Sequence, residues 1–382
     1  MNWKQLVPKD EIDGRIQTLQ ARMGEAGIQA ALVIQRVDLF YLTGTAQNAY
    51  LFIPANGVPL LMVKKYYPRA KQESPLEDVV EIRSVRDLPS TIEDHYGELP
   101  PSLGLEMDVL PFREFQFLKS IFSNQSITDI SSLVLQCRAI KSTWEIEQLR
   151  AISPLSDKCF GVAFSLLRSH KDPIAIASDV QAEARRLGHG AKIRLRYHYE
   201  KALPFVVKTP CRTHVAPNLN NADCLVELDF KWVLNGYHLV EARLFKPTGL
   251  PSEQMRAAQD LAEIHKFIVR ELRPEISGEE LFRMAREKAN SLRCGHRLAG
   301  MNMQDRPSRS APLGHGIGLE LREPPWISID DKTRLRPNTV LCIRPALVLE
   351  NTMAISMASV IRITKKGNEY LTKEPGIVLE KL

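Results

Sequence analysis

The polar residues best placed to do chemistry cluster in the second half of the chain: His214, Asp229, Tyr237, His315, Arg322, Glu323 and Arg344. Asp229 closes the apolar run Leu225-Val226-Glu227-Leu228-Asp229, where an unpaired carboxylate is costly to bury. His315 stands in Gly314-His315-Gly316-Ile317-Gly318, whose glycines permit a tight backbone and the close approach of a ligand. Arg322 and Arg344 each offer a planar guanidinium that can grip a carboxylate or phosphate through paired hydrogen bonds. A histidine beside an aspartate can act as a base near neutral pH, which makes His214 and His315 candidate bases with Asp229 as the orienting carboxylate. Two kinds of chemistry are open to such residues: recognition of an anion, and general-base chemistry with Arg322 or Arg344 stabilising a developing negative charge. Nucleophilic catalysis finds no support. The string Ser308-Arg309-Ser310 has no nucleophile elbow, and no Ser/His/Asp or Cys/His arrangement stands out.

Taken with the strand from Leu225 to Phe245 and the segments around Cys342–Pro345 and Ile355–Ile361, these motifs resemble the creatinase/aminopeptidase P/prolidase family (peptidase M24). In that family a two-metal hydrolytic centre is held by two Asp, one His and two Glu. The first Asp matches Asp229. The second lies in a Tyr-x-x-Asp-x-x-Arg frame that reads Tyr237-His238-Leu239-Val240-Glu241-Ala242-Arg243 here, so Val240 stands at its position. The family His matches His315, and the His-Glu-x-Pro element reads Arg322-Glu323-Pro324-Pro325, with Arg322 at a catalytic His position. Glu-Pro-Gly matches Arg344-Pro345-Ala346, and Arg-x-Glu-Asp matches Ser356-Met357-Ala358-Ser359. The resemblance therefore implies a degenerate centre in which Val240, Arg344 and Ala358 replace ligands, and no metal cofactor is expected. His214 loosely matches the His that binds substrate in prolidases and is the base in creatinase. Creatinase works without metal but also uses two Glu, whose positions here are Ala242 and Arg344.

Physical chemistry makes these replacements hard to rescue. A two-metal site needs anionic or imidazole donors, with bridging carboxylates to offset the repulsion between dications. Val240 and Ala358 offer no lone pair, and Arg344 brings a permanent positive charge. That charge is expected to fill the metal's space and to ion-pair with Asp229. Glu241 is one residue past the ligand position and faces the other side of a regular strand, so only a bulge or a register shift could recruit it.

The remaining signals bound the class. A chain of 382 residues that is 44% apolar is long enough for two cored domains. No apolar run approaches a membrane span and the N-terminus reads as a charged amphipathic segment, so a cytoplasmic protein without membrane association is expected. Six scattered cysteines show neither Cys-x-x-Cys nor zinc-finger spacing. A net charge of +6, with basic and acidic residues interleaved, argues against nucleic acid as a partner.

Ile12, Ile16, Leu19 and Met23 predict an amphipathic helix over 10–26, followed by strands at 30–34, 50–53 and 60–63. The order, with Tyr41-Leu42-Thr43-Gly44, resembles the N-terminal domain that accompanies creatinases and prolidases. It is expected to span residues 1–135. The string from Cys137 to Glu147 marks the junction, with Thr143 as helix cap and Pro154 bending or shortening that helix. Helices are expected near 173–187, 251–273 and 278–292, the last opened by Ser277 and Glu280 at capping-box spacing. Strands are expected at 202–207, 224–230, 236–245, 339–350 and 355–363. The fold class expected is α/β (α+β): a creatinase-type α/β N-terminal domain, then a pita-bread domain over 136–382. The leading expectation is a homodimer that binds a small anionic or peptide-like ligand in the former active-site cleft. The alternatives are a metal-independent C–N hydrolase, a protein-interaction pseudoenzyme and a residual Xaa-Pro peptidase.

Overall fold

The computed structural model describes residues 6–169, 173–190, 205–208, 226–245, 252–302, 307–349 and 353–378. The chain divides into two compact units between Arg138 and Ala139.

The first unit runs α1 (Lys9–Glu25), β1 (Ala30–Val33), α2 (Arg36–Thr43), β2 (Ala49–Pro54), β3 (Leu60–Val63), α3 (Tyr67–Glu73), β4 (Val79–Glu81), α4 (Leu88–Tyr96), β5 (Ser102–Leu105), α5 (Phe112–Ile121), β6 (Ser126–Asp129) and α6 (Ser131–Ala139). Its six-stranded sheet has the order β4-β3-β2-β1-β5-β6, with β2 antiparallel to both neighbours and the other pairs parallel. The stripe Ile12, Ile16, Leu19 and Met23 is buried along α1 as its periodicity predicts. Gly44, at φ 75°, ends α2 by donating its N–H to the Phe40 carbonyl. The expected boundary near 135 falls inside α6. That helix is tied into the first unit by buried Val134 and Cys137 and by the 2.8 Å ion pair of Arg138 with Asp38.

The second unit begins with α7 (Thr143–Arg168), α8 (Pro173–Arg186), β7 (Phe205–Lys208), β8 (Val226–Leu234), β9 (Tyr237–Phe245), α9 (Ser252–Glu271) and α10 (Gly278–Ser291). It continues through β10 (Leu298–Met301), β11 (Pro307–Ser308), β12 (Gly314–Gly316), β13 (Glu323–Trp326), β14 (Val340–Ile343), β15 (Pro345–Leu349), β16 (Met353–Ser356), β17 (Ser359–Ile363), β18 (Asn368–Tyr370) and β19 (Ile377–Val378). Its strands form three sheets, ordered β11-β10-β15-β16, β13-β12-β14-β17-β18 and β19-β9-β8-β7.

Local chemistry explains where these elements start and stop. The cap of α7 is Ser142, not Thr143: Ser142 Oγ accepts from Glu145 N at 3.0 Å and Glu145 Oε2 accepts from Ser142 N at 3.0 Å. Pro154 does not shorten α7, which continues to Arg168. Burial of Ile146, Leu149, Ile152 and Leu155 on one face outweighs the lost backbone hydrogen bond. The capping box of Ser277 and Glu280 opens α10 as its spacing predicts. Two strands read as continuous are each broken. The first splits at Arg344 into β14 and β15, the second near Ala358 into β16 and β17, and the halves belong to different sheets. At Arg344 the N–H still donates to the Leu313 carbonyl at 2.7 Å, next in register after Gly314 opposite Ile343, and the chain then passes into the other sheet. The breaks fall where the site residues stand.

Candidate functional site

The hairpin of β8 and β9 sets one wall of the site. Its register is continuous from Val226 opposite Phe245 to Leu234 opposite Tyr237, with Asp229 opposite Ala242. Side chains alternate across a pleated sheet, so Glu227, Asp229, Val240 and Ala242 share one face. Glu241 is on the other, where it accepts from Arg243 Nη2 at 2.8 Å and burial pushes its carboxyl pKa up. No bulge brings Glu241 round to the side of Asp229. Ala358 closes over the hairpin through its backbone, exchanging hydrogen bonds of 3.0 and 3.1 Å with Ala242.

Arg344 enters this face from the break between β14 and β15. Its Nη2 lies 2.5 Å from Asp229 Oδ2 and 3.8 Å from Glu227 Oε1. The expected pairing of Arg344 with Asp229 is present, and Glu227 joins it. Ser356 holds Glu227 in place, donating from both its backbone N–H and its hydroxyl at 2.8 Å. Arg344 and Glu227 are each 3% exposed and Asp229 1%. Such a low-dielectric setting makes the guanidinium and the carboxylates depend on one another.

Tyr237 and Glu323, expected to contact a ligand, are instead enclosed supports. The Tyr237 hydroxyl donates to Glu145 Oε1 at 3.2 Å with no exposed surface. Glu323 forms an ion pair with Lys141, both buried. The backbone beside them has no spare room: a Cβ on Gly318 would lie 2.7 Å from Glu323 Oε1 and 2.9 Å from Lys141 Cε.

His315 sits on β12, opposite Cys342 of β14 and Trp326 of β13. Its Nδ1 is 2.9 Å from the Gly316 carbonyl, so Nδ1–H is the donor and Nε2 is the basic nitrogen. Burial, with the positive charges of Arg322 and Arg344 behind it, pushes the imidazole pKa down to about 4, partly opposed by that hydrogen bond. His315 is therefore neutral at pH 7. With Arg322 and Trp326 it lines a cavity of about 260 Å³, whose other polar walls are Asn302, Ser308 and Ser310. Arg344 is not among the lining residues, so the two guanidinium groups have different surroundings. His214 lies outside the described residues.

Residues 15–140 match the Creatinase/Prolidase N-terminal domain, and residues 147–366 match metallopeptidase family M24. The chain belongs to metallopeptidase family M24. It is 24% identical to a Xaa-Pro dipeptidase of Pyrococcus horikoshii over 370 residues, covering 95% of this chain and 98% of the relative. In structure it is similar to a Xaa-Pro dipeptidase from Bacillus anthracis, with a TM-score of 0.81 at 19% identity over 97% of this chain and 100% of the other. It also shares the fold of the N-terminal domain of the FACT complex subunit SPT16 from Cicer arietinum, with a TM-score of 0.73 at 12% identity over 96% of this chain and 97% of the other. The expected architecture is thus established: a creatinase-type N-terminal domain followed by an M24 pita-bread domain.

For an M24 protein, the donor set on this face is unusual. Val240 and Ala358 present hydrocarbon, and Arg344 presents a cation to Asp229 and Glu227. Among the described residues, no group of three or more His, Cys, Asp and Glu side chains is arranged to hold a metal ion. Sequence reasoning missed Glu227, Ser356 and Lys141. The first was legible, because Glu227 is two residues before Asp229 on a strand and so shares its face. Ser356 and Lys141 become partners only through contacts 129 and 182 residues apart in sequence.

Proposed function

We propose that this M24 protein has lost the two-metal centre and with it metal-dependent peptidase activity, and that its cleft holds a small anionic or peptide-like ligand without cleaving it. The observation that carries this reading is the guanidinium of Arg344, 2.5 Å from Asp229 and buried beside Glu227. A dication would have to displace or sit against a permanent cation there. The carboxylates present do not fit a dinuclear centre, since both are already engaged by Arg344 or Ser356, and among the described residues no group of three or more His, Cys, Asp and Glu side chains could hold a metal ion. Ligand binding is supported by the neighbouring cavity, where Arg322 offers charge, Ser308 and Ser310 offer hydroxyls and Trp326 offers an aromatic face.

General-base hydrolysis by His315 with Asp229 as its orienting group finds less support. The Nδ1–H of His315 goes to the Gly316 carbonyl, Asp229 is gripped by Arg344, and an imidazole with a pKa of about 4 is a weak base. A homodimer remains part of the proposal, to be checked by light scattering.

The test is metal content by mass spectrometry after incubation with Mn²⁺, Co²⁺ or Zn²⁺ and desalting, with a Xaa-Pro dipeptide hydrolysis assay on the same samples. Retention below about a tenth of an ion per chain and no hydrolysis are expected from this donor set. One to two tightly held ions with turnover would overturn the proposal.

A further inference from the structure

A second cavity, of about 340 Å³, lies in the M24 unit between the start of α9 and the turn that follows α10. It shares no lining residue with the His315 cavity. Its polar walls are Arg256, Arg293, Arg297, His296, Glu253 and Asp260. Arg297 pairs with Glu253 at 3.0 Å. Asp260 lies close enough to Arg256 and Arg297 for their charges to oppose the upward push of burial on its pKa. Three guanidinium groups against two carboxylates leave one net positive charge.

The backbone at Arg293 gives an independent signal. Arg293 adopts φ 60° just past the end of α10, donating to the Asn290 carbonyl at 2.9 Å, while Cys294 donates to the Ala289 carbonyl at 3.0 Å. This is the left-handed position that helix ends fill with glycine, because any Cβ is disfavoured there. A long charged side chain is held at that position against local preference, and it lines the cavity. Strain of this kind concentrates at functional positions.

We propose that this groove binds a small phosphate ester carrying hydroxyl groups, at a site separate from the M24 cleft. Arg256 and Arg293 take the phosphate by bidentate hydrogen bonds, and Glu253 and Asp260 accept from the hydroxyls. Both acids are then used by the ligand, not merely tolerated. Arg256 and Arg293 are exposed, so replacing them leaves the core intact.

The test is calorimetric titration of the full chain with ribose 5-phosphate and with inorganic phosphate at low salt. The R322A variant serves as parent, so that the cleft does not contribute. Saturable binding of ribose 5-phosphate to R322A is expected, weakened at least about tenfold when R256A and R293A are added. R293G should raise Tm while weakening binding, the opposite of what a purely structural arginine would do. The proposal is overturned if R322A shows no saturable binding, or if R256A and R293A leave it unchanged. Inorganic phosphate binding as tightly as ribose 5-phosphate would overturn the role given to Glu253 and Asp260.

Discussion

Arg344 and Arg322 belong to one unit, and the family resemblance implied a metal-ligand position for the first and a catalytic-histidine position for the second, yet their surroundings differ. Arg344 is 3% exposed and is held against Asp229 and Glu227. Arg322 is half-buried and lines a 260 Å³ cavity with His315 and Trp326. The same replacement chemistry gives an internal counter-ion in one place and a binding wall in the other. Desolvation decides between them. A guanidinium sealed from water must be neutralised by the protein, whereas one that meets a cavity can be neutralised by a ligand.

The contrast can be broken at its sealed side first. Replacing Arg344 with alanine takes the guanidinium away from two buried carboxylates and should cost about 3–5 kcal/mol in urea unfolding. A loss under about 1 kcal/mol would show that Asp229 and Glu227 do not depend on this cation.

Acid should act next. His265 and His315 have pKa values pushed down to about 4 by burial, against 6.5 for an ordinary histidine. The unfolded chain takes up each proton near pH 6.5 and the folded chain only near pH 4, so between these values the unfolded state holds more protons. Stability therefore falls as pH drops through that window, by up to about 3 kcal/mol per histidine. H315Q should flatten the decline by its own share, and an unchanged pH slope would remove His315 from this account.

Removing the Ser356 hydroxyl is a gentler probe of the sealed side. It deletes one of the two hydrogen bonds that hold Glu227, so S356A should cost about 2 kcal/mol, while S356T retains most of the stability. Equal losses in both variants would point to packing instead of hydrogen bonding.

The open side should show the smallest stability effect and the clearest binding effect. R322A is expected to shift unfolding by no more than about 0.5 kcal/mol. In fluorescence titration it should weaken small carboxylates that quench Trp326 by about tenfold or more. Comparable ligand loss from R344A in a chain that remains folded would erase the distinction between the two arginines.

Much of this was written locally. The stripe on α1, the capping box of α10 and the M24 motifs are short-range patterns, because helix periodicity, caps and glycine turns depend on neighbours within a few residues. The resemblance of these motifs to the family pattern implied that Val240, Arg344 and Ala358 stand at ligand positions. Sequence also implied the pairing of Arg344 with Asp229, through the family pattern. It did not reveal that Ser142 caps α7, since Ser142 and Thr143 are both competent caps and only the reciprocal bond with Glu145 distinguishes them. Nor did it reveal the breaks at Arg344 and Ala358, because an apolar run reads the same whether it stays in one sheet or crosses to another.

Tertiary structure decided which polar groups are enclosed and which line a cavity. Tyr237 and Glu323 looked as available as Arg322 and His315 in one dimension, but burial and long-range partners set them apart from the residues that line the cavity. Sequence determines the charge a residue carries and the face of the strand it occupies. Whether that charge meets water, a ligand or a counter-ion depends on chain segments brought together from more than a hundred residues away, here Arg344 against Asp229 and Ser356 against Glu227.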